Sequence, residues 1–489
     1  MLRSVLLIPV LCVVLQAQNV PTAATKSWWT HVRFLAGDEL QGRDTGSEGY
    51  KTAARYVQEQ FERAGLKPAG EKGYYQSVPL RVLEVRSEST VELIRDGKAR
   101  ALAVNLEVGV TPRMGLPEVV EAPLVFGGAE VAGKIVVSLA GFVSPSAGAA
   151  GTILIDNPKG LEAPRWPVAY AKSMAVEGRP ARAGAVGGGA VGGGAAGLAL
   201  RFNPEFAEEL FAGSGHTFAE IVDLAAAGKP LPSFPLVPRV RAAVRVTSST
   251  LTSDNIIAVL PGSELPDEYV VVSAHLDGYG VGTPVKGDRI YNGAFDDAAC
   301  VANLIELAGE FRKSGKKPRR SLLFAVFTGE EKGLLGSQYF NGHLTILKEK
   351  IVADINLDYI RPLFPLTILT TLGLEESTLG EVARKVAGPL GIRIQPDNEP
   401  QRGLYRRSDQ FNFIRNGIPG IAFIFGYEPG SKEEGLYRIW YRDRYHRPQD
   451  DLQQPVDWAG AEKFQQFFNA MAMAVANGEE KPVMKPARQ

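Results

Sequence analysis

Unbroken apolar runs alternate with stretches of helical period through the second half of the chain. Tyr269–Ala274 and Ser321–Phe327 lack the polar alternation of a half-exposed strand, so they predict strands buried on both faces of a covered, largely parallel sheet. Between them Val301, Leu304, Ile305, Leu307, Ala308 and Phe311 recur at helical spacing behind Asp296 and Asp297, which places two acids at the positive end of a helix. Asn255–Leu260, Ile351–Leu357 and Ile418–Phe425 predict further strands, and Leu334–Phe340, Leu379–Leu390 and Trp458–Val475 predict helices. Phe464, Phe467, Phe468, Met471 and Val475 form one stripe of the last helix, which reads as core. Upstream, Tyr50, Ala53, Ala54, Val57, Phe61 and Ala64 mark one amphipathic helix that stops at Gly65.

From Val82 to Val246 the character changes to short strand-like runs (Leu102–Leu106, Pro123–Phe126, Lys134–Leu139, Gly151–Ile155) separated by Gly, Pro and Ala. The Gly/Ala tract Gly184–Gly197 has too little side chain to fill an interior and reads as a mobile surface loop. A phosphate cradle would need a Gly-Lys-Ser/Thr ending or dinucleotide spacing, and neither follows.

At 489 residues the chain exceeds one compact core and predicts two domains or a domain with a large insertion. Lys+Arg and Asp+Glu are equal at 54 each, so no net field draws nucleic acid or an anionic membrane. Met1–Ala17 has one Arg, an apolar core from Val5 to Leu15 and a small residue at Ala17, which reads as a secretory signal peptide. A lipoprotein signal at Cys12 is the competitor, but bulky Leu11 stands where a small residue is needed. No later run has the length of a membrane span. Cleavage leaves Cys300 as the last thiol, on the apolar flank of a helix, where a small buried hydrophobe is favoured over a reactive group. The chain is expected to be exported, to the periplasm or outside the cell, without relying on disulfides.

The candidate chemistry sits where strands stop. His275 and Asp277 end the first buried run, Glu330 and Glu331 the second, and Asp358 the third. His275, Asp296, Glu331, Asp358 and His446 would make a mixed imidazole and carboxylate set suited to zinc. Asp277 is spaced to orient the His275 ring, and Glu330 would stay free as a base. Each residue alone has a plainer reading: Asp296 or Asp297 as a helix cap, Glu330–Glu331 as a solvated turn, His446 as a loop residue. Capping explains one acid at a strand end better than it explains several in one series.

At these residues the chain resembles the secreted co-catalytic di-zinc aminopeptidases, the family that also holds glutamate carboxypeptidases and the catalytically silent transferrin receptors. The resemblance is carried by SAHLD (273–277), GAFDDAA (293–299), FTGEEKGLLGS (327–337), INLD (355–358), SDQFNF (408–413), GIP (417–419) and YHRPQDD (445–451), with residues 34–70 and 253–262. It implies a zinc-exopeptidase fold, two Zn2+ ions and peptide substrates. His275 and Asp358 would hold one ion and Glu331 and His446 the other, with Asp296 bridging; Glu330 would be the base and Asp277 the acid behind His275. Tyr405 matches a tyrosine that in some members hydrogen-bonds the reaction intermediate. The implied organisation is a signal peptide (1–17), a discontinuous peptidase domain (18–81 and 247–480), a β-rich protease-associated-like insert (82–246) and a tail (481–489). Gln410 departs from the usual His, and Phe295 and Cys300 replace smaller or polar residues, which is expected to narrow the site. A metallo-carboxypeptidase on the same core is the alternative, kept open by Arg402, Arg406 and Arg407; a silent receptor scaffold is disfavoured because all five ligands and the base are present.

Overall fold

The computed structural model describes residues 19–128, 130–142, 144–160, 165–178 and 197–486. The expected signal segment and the Gly/Ala tract up to residue 196 lie outside the described residues. Nine strands build the larger sheet: β1 (Tyr75–Val85), β2 (Lys172–Val176), β3 (Val246–Leu260), β4 (Leu265–His275), β5 (Arg320–Phe327), β6 (Ile351–Tyr359), β7 (Ile368–Leu372), β8 (Arg393–Gln395) and β9 (Gly420–Phe425). Their order is β8–β7–β9–β6–β4–β5–β3–β1–β2, and Lys67–Pro68 adds a short tenth strand against β3. The centre, β9–β6–β4–β5, is parallel. On its flanks β3, β1, β2 and β7 join antiparallel, and the edge strand β8 runs parallel to β7, so the sheet is mixed.

The central strands are covered on both faces, as parallel strands usually are. Every residue of β5, β6 and β9 is buried. Val270, Val272 and Ala274 of β4 join the core under α1 (Ala23–Leu35), α2 (Glu48–Arg63), α3 (Ala299–Ser314) and the terminal helix Trp458–Asn477, while Val271 enters a second core with Leu323, Phe340 and Phe413 on the other face. The helix α1 was not expected. Thr22 caps it by accepting from the Thr25 N–H, and Trp28, Val32 and Leu35 make a stripe one residue wide, too narrow to stand out among Lys26, Thr30 and His31.

Most of the 82–246 stretch forms a separate eight-stranded sheet with its own apolar core. Two departures from the sequence pattern occur there. Leu102–Leu106 is a turn, in which the N–H groups of Leu106, Glu107 and Val108 converge on the Ala103 carbonyl; Asn105, at φ 70°, takes the left-handed backbone, and the strand begins only at Val108. The second departure is β2, which comes from this stretch yet pairs with Leu80–Glu84 of β1 on the edge of the larger sheet. Among the described residues, no helix is long and apolar enough to cross a membrane.

Candidate metal centre

Three neighbouring parallel strands deliver the site. His275 is the last residue of β4, Asp358 the next to last of β6, and Glu330 and Glu331 follow β5 through a turn at Gly329, whose φ of 64° suits glycine. All three strands end on the same rim, as open α/β sheets require of their sites. Asp296 arrives from the turn Ala294–Ala298 ahead of α3; it and Asp297 have non-helical backbones, so they precede the helix rather than begin it. His446 follows the helix α4 (Lys432–Asp443), numbered here before the terminal helix α5 (Trp458–Asn477).

The structure brings all five expected ligands together. His275 Nε2 lies 3.4 Å from Asp296 Oδ1 and 3.8 Å from Asp358 Oδ1. His446 Nε2 lies 3.3 Å from Asp296 Oδ2 and 3.1 Å from Glu331 Oε2. Two donor groups therefore share one carboxylate. Ligand atoms of His275, Asp296 and Glu331 all fall within 4.8 Å of one another. His275 Nε2 and Asp296 Oδ2 are buried without a hydrogen bond, a costly state that a cation between the donors would relieve.

Electrostatics agree with a cation-seeking cluster. Burial lowers the proton affinity of His275, but the surrounding acids, Glu330 foremost, outweigh it and push the imidazole well above its ordinary value. Burial likewise raises Glu330, with Asp358 and Glu331 adding to it. Asp296 is the exception: burial is overcome by His275, His446 and Arg361, which hold it below the usual carboxylate range.

Glu330 stands beside both groups, its Oε2 3.8 Å from His275 Nε2. Asp277 works differently from expectation. The His275 Nδ1 lies 3.1 Å from the Asp277 backbone carbonyl and 3.9 Å from its carboxylate, which instead accepts from the Glu330 N–H at 3.0 Å and the Thr45 hydroxyl at 2.9 Å. The Tyr405 ring packs on Phe411 and near Gly373, and the charges around its hydroxyl are Glu376 and Arg406. Phe295 and Cys300 are fully buried and belong to the large apolar core.

Four further residues shape the centre, none of them marked by the pattern of apolar runs. Asp450 accepts from the N–H groups of Phe295 and Asp296, each at 3.0 Å, and from Gln454, clamping the Asp296 turn to the His446 loop. Tyr279 places its hydroxyl 3.0 Å from His446 Nδ1. Arg361, buried over the Trp440 ring, sits 3.6 Å from Asp296 Oδ2. Arg43 is fully buried and donates to the carbonyls of Leu276, Leu35, Asn292 and Gly293, tying the loop after β4 to the turn before α3. A signal existed for Asp450, four residues after His446 in YHRPQDD; Arg43 was hidden because its partners are backbone carbonyls from distant segments.

Comparison with known proteins places this geometry. Residues 255–472 match the model of peptidase family M28. Aminopeptidase NAALADL1 of Mus musculus is 34% identical over 135 residues, which are 27% of this chain and 17% of that one. Carboxypeptidase Q of Pongo abelii is 28% identical over 208 residues, 42% of this chain and 38% of the relative. This chain thus spans well under half of the length of either relative. The aminopeptidase from Aneurinibacillus sp. strain AM-1 shares the fold, with a TM-score of 0.61 at 20% identity over 96% of this chain and 98% of that one. The segment that matches the model of peptidase family M28, residues 255–472, carries all five clustered ligands and Glu330.

Proposed function

We propose that the chain is an exported aminopeptidase that holds two zinc ions and hydrolyses the first amide bond of peptides. The observation that carries this reading is the shared carboxylate, with one Asp296 oxygen 3.4 Å from His275 Nε2 and the other 3.3 Å from His446 Nε2. His275 and Asp358 would hold one ion, Glu331 and His446 the other, and Asp296 both; imidazole and carboxylate donors in this mixture suit zinc. When bound, such ions lower the pKa of a water molecule, polarise the substrate carbonyl and stabilise charge developing on oxygen. Glu330, whose Oε2 lies 3.8 Å from His275 Nε2, would act as the base rather than as a ligand. Its carboxylate would take a proton from the attacking water on Oε2 and pass it to the leaving nitrogen. Asp277 steadies that base by accepting its backbone N–H. Export rests on the signal-like Met1–Ala17.

Hydrolysis of aminoacyl amides should vanish on chelation and return with zinc; a chelator-insensitive rate would exclude the reading. A carboxypeptidase activity is the second reading, favoured by the similarity to Carboxypeptidase Q and by the buried Arg361 guanidinium beside the cluster. Paired dipeptides separate the two. An aminopeptidase cleaves the C-amidated dipeptide and spares the N-blocked one, and a carboxypeptidase does the reverse.

A further inference from the structure

His446 is the clustered ligand with a left-handed backbone. It lies outside any helix or strand, and its φ of 55° is a left-handed conformation that a non-glycine residue keeps only when its surroundings over-determine it. Two tyrosines supply those surroundings. The Tyr445 ring centroid lies 3.7 Å from the imidazole and that of Tyr279 4.6 Å from it. Nε2 faces Asp296 and Glu331, so Nδ1 is left to the Tyr279 hydroxyl at 3.0 Å. In metal sites the partner of the second imidazole nitrogen fixes tautomer and ring orientation, and here that partner is a phenol.

The tyrosines are held in turn by residues 165–172, a segment of the 82–246 stretch that leads into β2. Arg165 lies over the Tyr445 ring at 4.2 Å, and the Tyr170 ring is 6.1 Å from that of Tyr279. Lys332 sets its ammonium over both Tyr279, at 4.8 Å, and Tyr170, at 5.4 Å. Cation–aromatic contacts of this kind strengthen when water is excluded, and Lys332 is buried. Arg447, the neighbour of His446, donates to the Trp166 carbonyl at 2.8 Å. His275 has another kind of support: it ends β4, and its Nδ1 faces the Asp277 carbonyl.

We infer that Tyr279 fixes the His446 ring for ion binding and that the 165–172 segment holds Tyr279 in place, so that the 82–246 stretch governs retention of the ion at Glu331 and His446. The inference rests on the two-ion reading given above. The test is stepwise removal of zinc from the loaded full-length chain by a chelator, with ion content measured by mass spectrometry. Tyr279→Phe should release one of its two ions at about 10- to 100-fold lower chelator concentration than the wild type, with the other ion unchanged. Tyr279→Gln, whose amide oxygen can accept from Nδ1–H, should recover part of that loss, and Tyr170→Leu should show a smaller loss of the same ion. A Tyr279→Phe chain that holds both ions like the wild type, or loosens both equally, overturns the inference; a Tyr170→Leu chain with wild-type retention overturns the role of the segment. Wild-type protein that binds no zinc would instead overturn the two-ion reading itself.

Discussion

Glu330 and Glu331 are adjacent in sequence but differ in what they face. Glu331 Oε2 is 3.1 Å from His446 Nε2, whereas Glu330 has its N–H bonded to Asp277 and its Oε2 3.8 Å from His275 Nε2. Replacing Glu330 with Gln keeps the shape and removes the proton acceptor. Turnover of an aminoacyl amide should fall about 10²- to 10⁴-fold while zinc content stays at the wild-type level. Asp450 offers a second test. Asn at this position turns one of the two acceptor oxygens into an amide NH2 group facing a backbone N–H, so the Asp296 turn should loosen and zinc affinity, measured by equilibrium dialysis, should drop about 10- to 100-fold. The ligands were legible because each ends an apolar run or sits in a short polar motif. Their supports were not, since Tyr279, Asp450 and Arg43 act on partners that only the folded chain brings near.

At the scale of elements, buried strands were the most legible feature. β5 and β6 are buried throughout, and their mainly apolar sequences suit strands covered on both faces. Phe324, fully buried on β5 with its ring 5.4 Å from Phe61 of α2, represents that packing. Phe324→Ala should cost about 3–5 kcal/mol in urea unfolding through lost burial and the cavity left behind. Short elements were less legible. Leu102–Leu106 alternates like a strand, but the left-handed Asn105 closes it into a turn; α1 hides because its buried stripe is narrow.

On the scale of the whole molecule, Asp44 ties the strand contributed by the 82–246 stretch to the loop after β5. Its carboxylate pairs with Lys172 of β2 at 2.6 Å and with Lys332, beside the metal-binding cluster, at 3.3 Å. Burial pushes Asp44 up, and the two ammonium groups outweigh burial, so its pKa lies below the ordinary 3.8. A carboxylate with a depressed folded-state pKa stabilises the fold above its unfolded pKa, and that contribution is lost as pH falls through the folded value. Asp44→Asn should therefore lower the melting temperature of metal-free protein at pH 7, and the gap from wild type should shrink below about pH 4. Thermal melts across pH 3–7 would read both effects.

The sequence by itself determined the buried strands, the amphipathic helix α2 and the acids and histidines at strand ends, because burial periodicity and chain punctuation are local properties. Tertiary structure decided which carboxylate is shared, which group faces each imidazole nitrogen, and that a strand from the 82–246 stretch completes the edge of the larger sheet. Those outcomes depend on distances of a few ångströms between segments up to hundreds of residues apart, and one-dimensional spacing does not encode such distances.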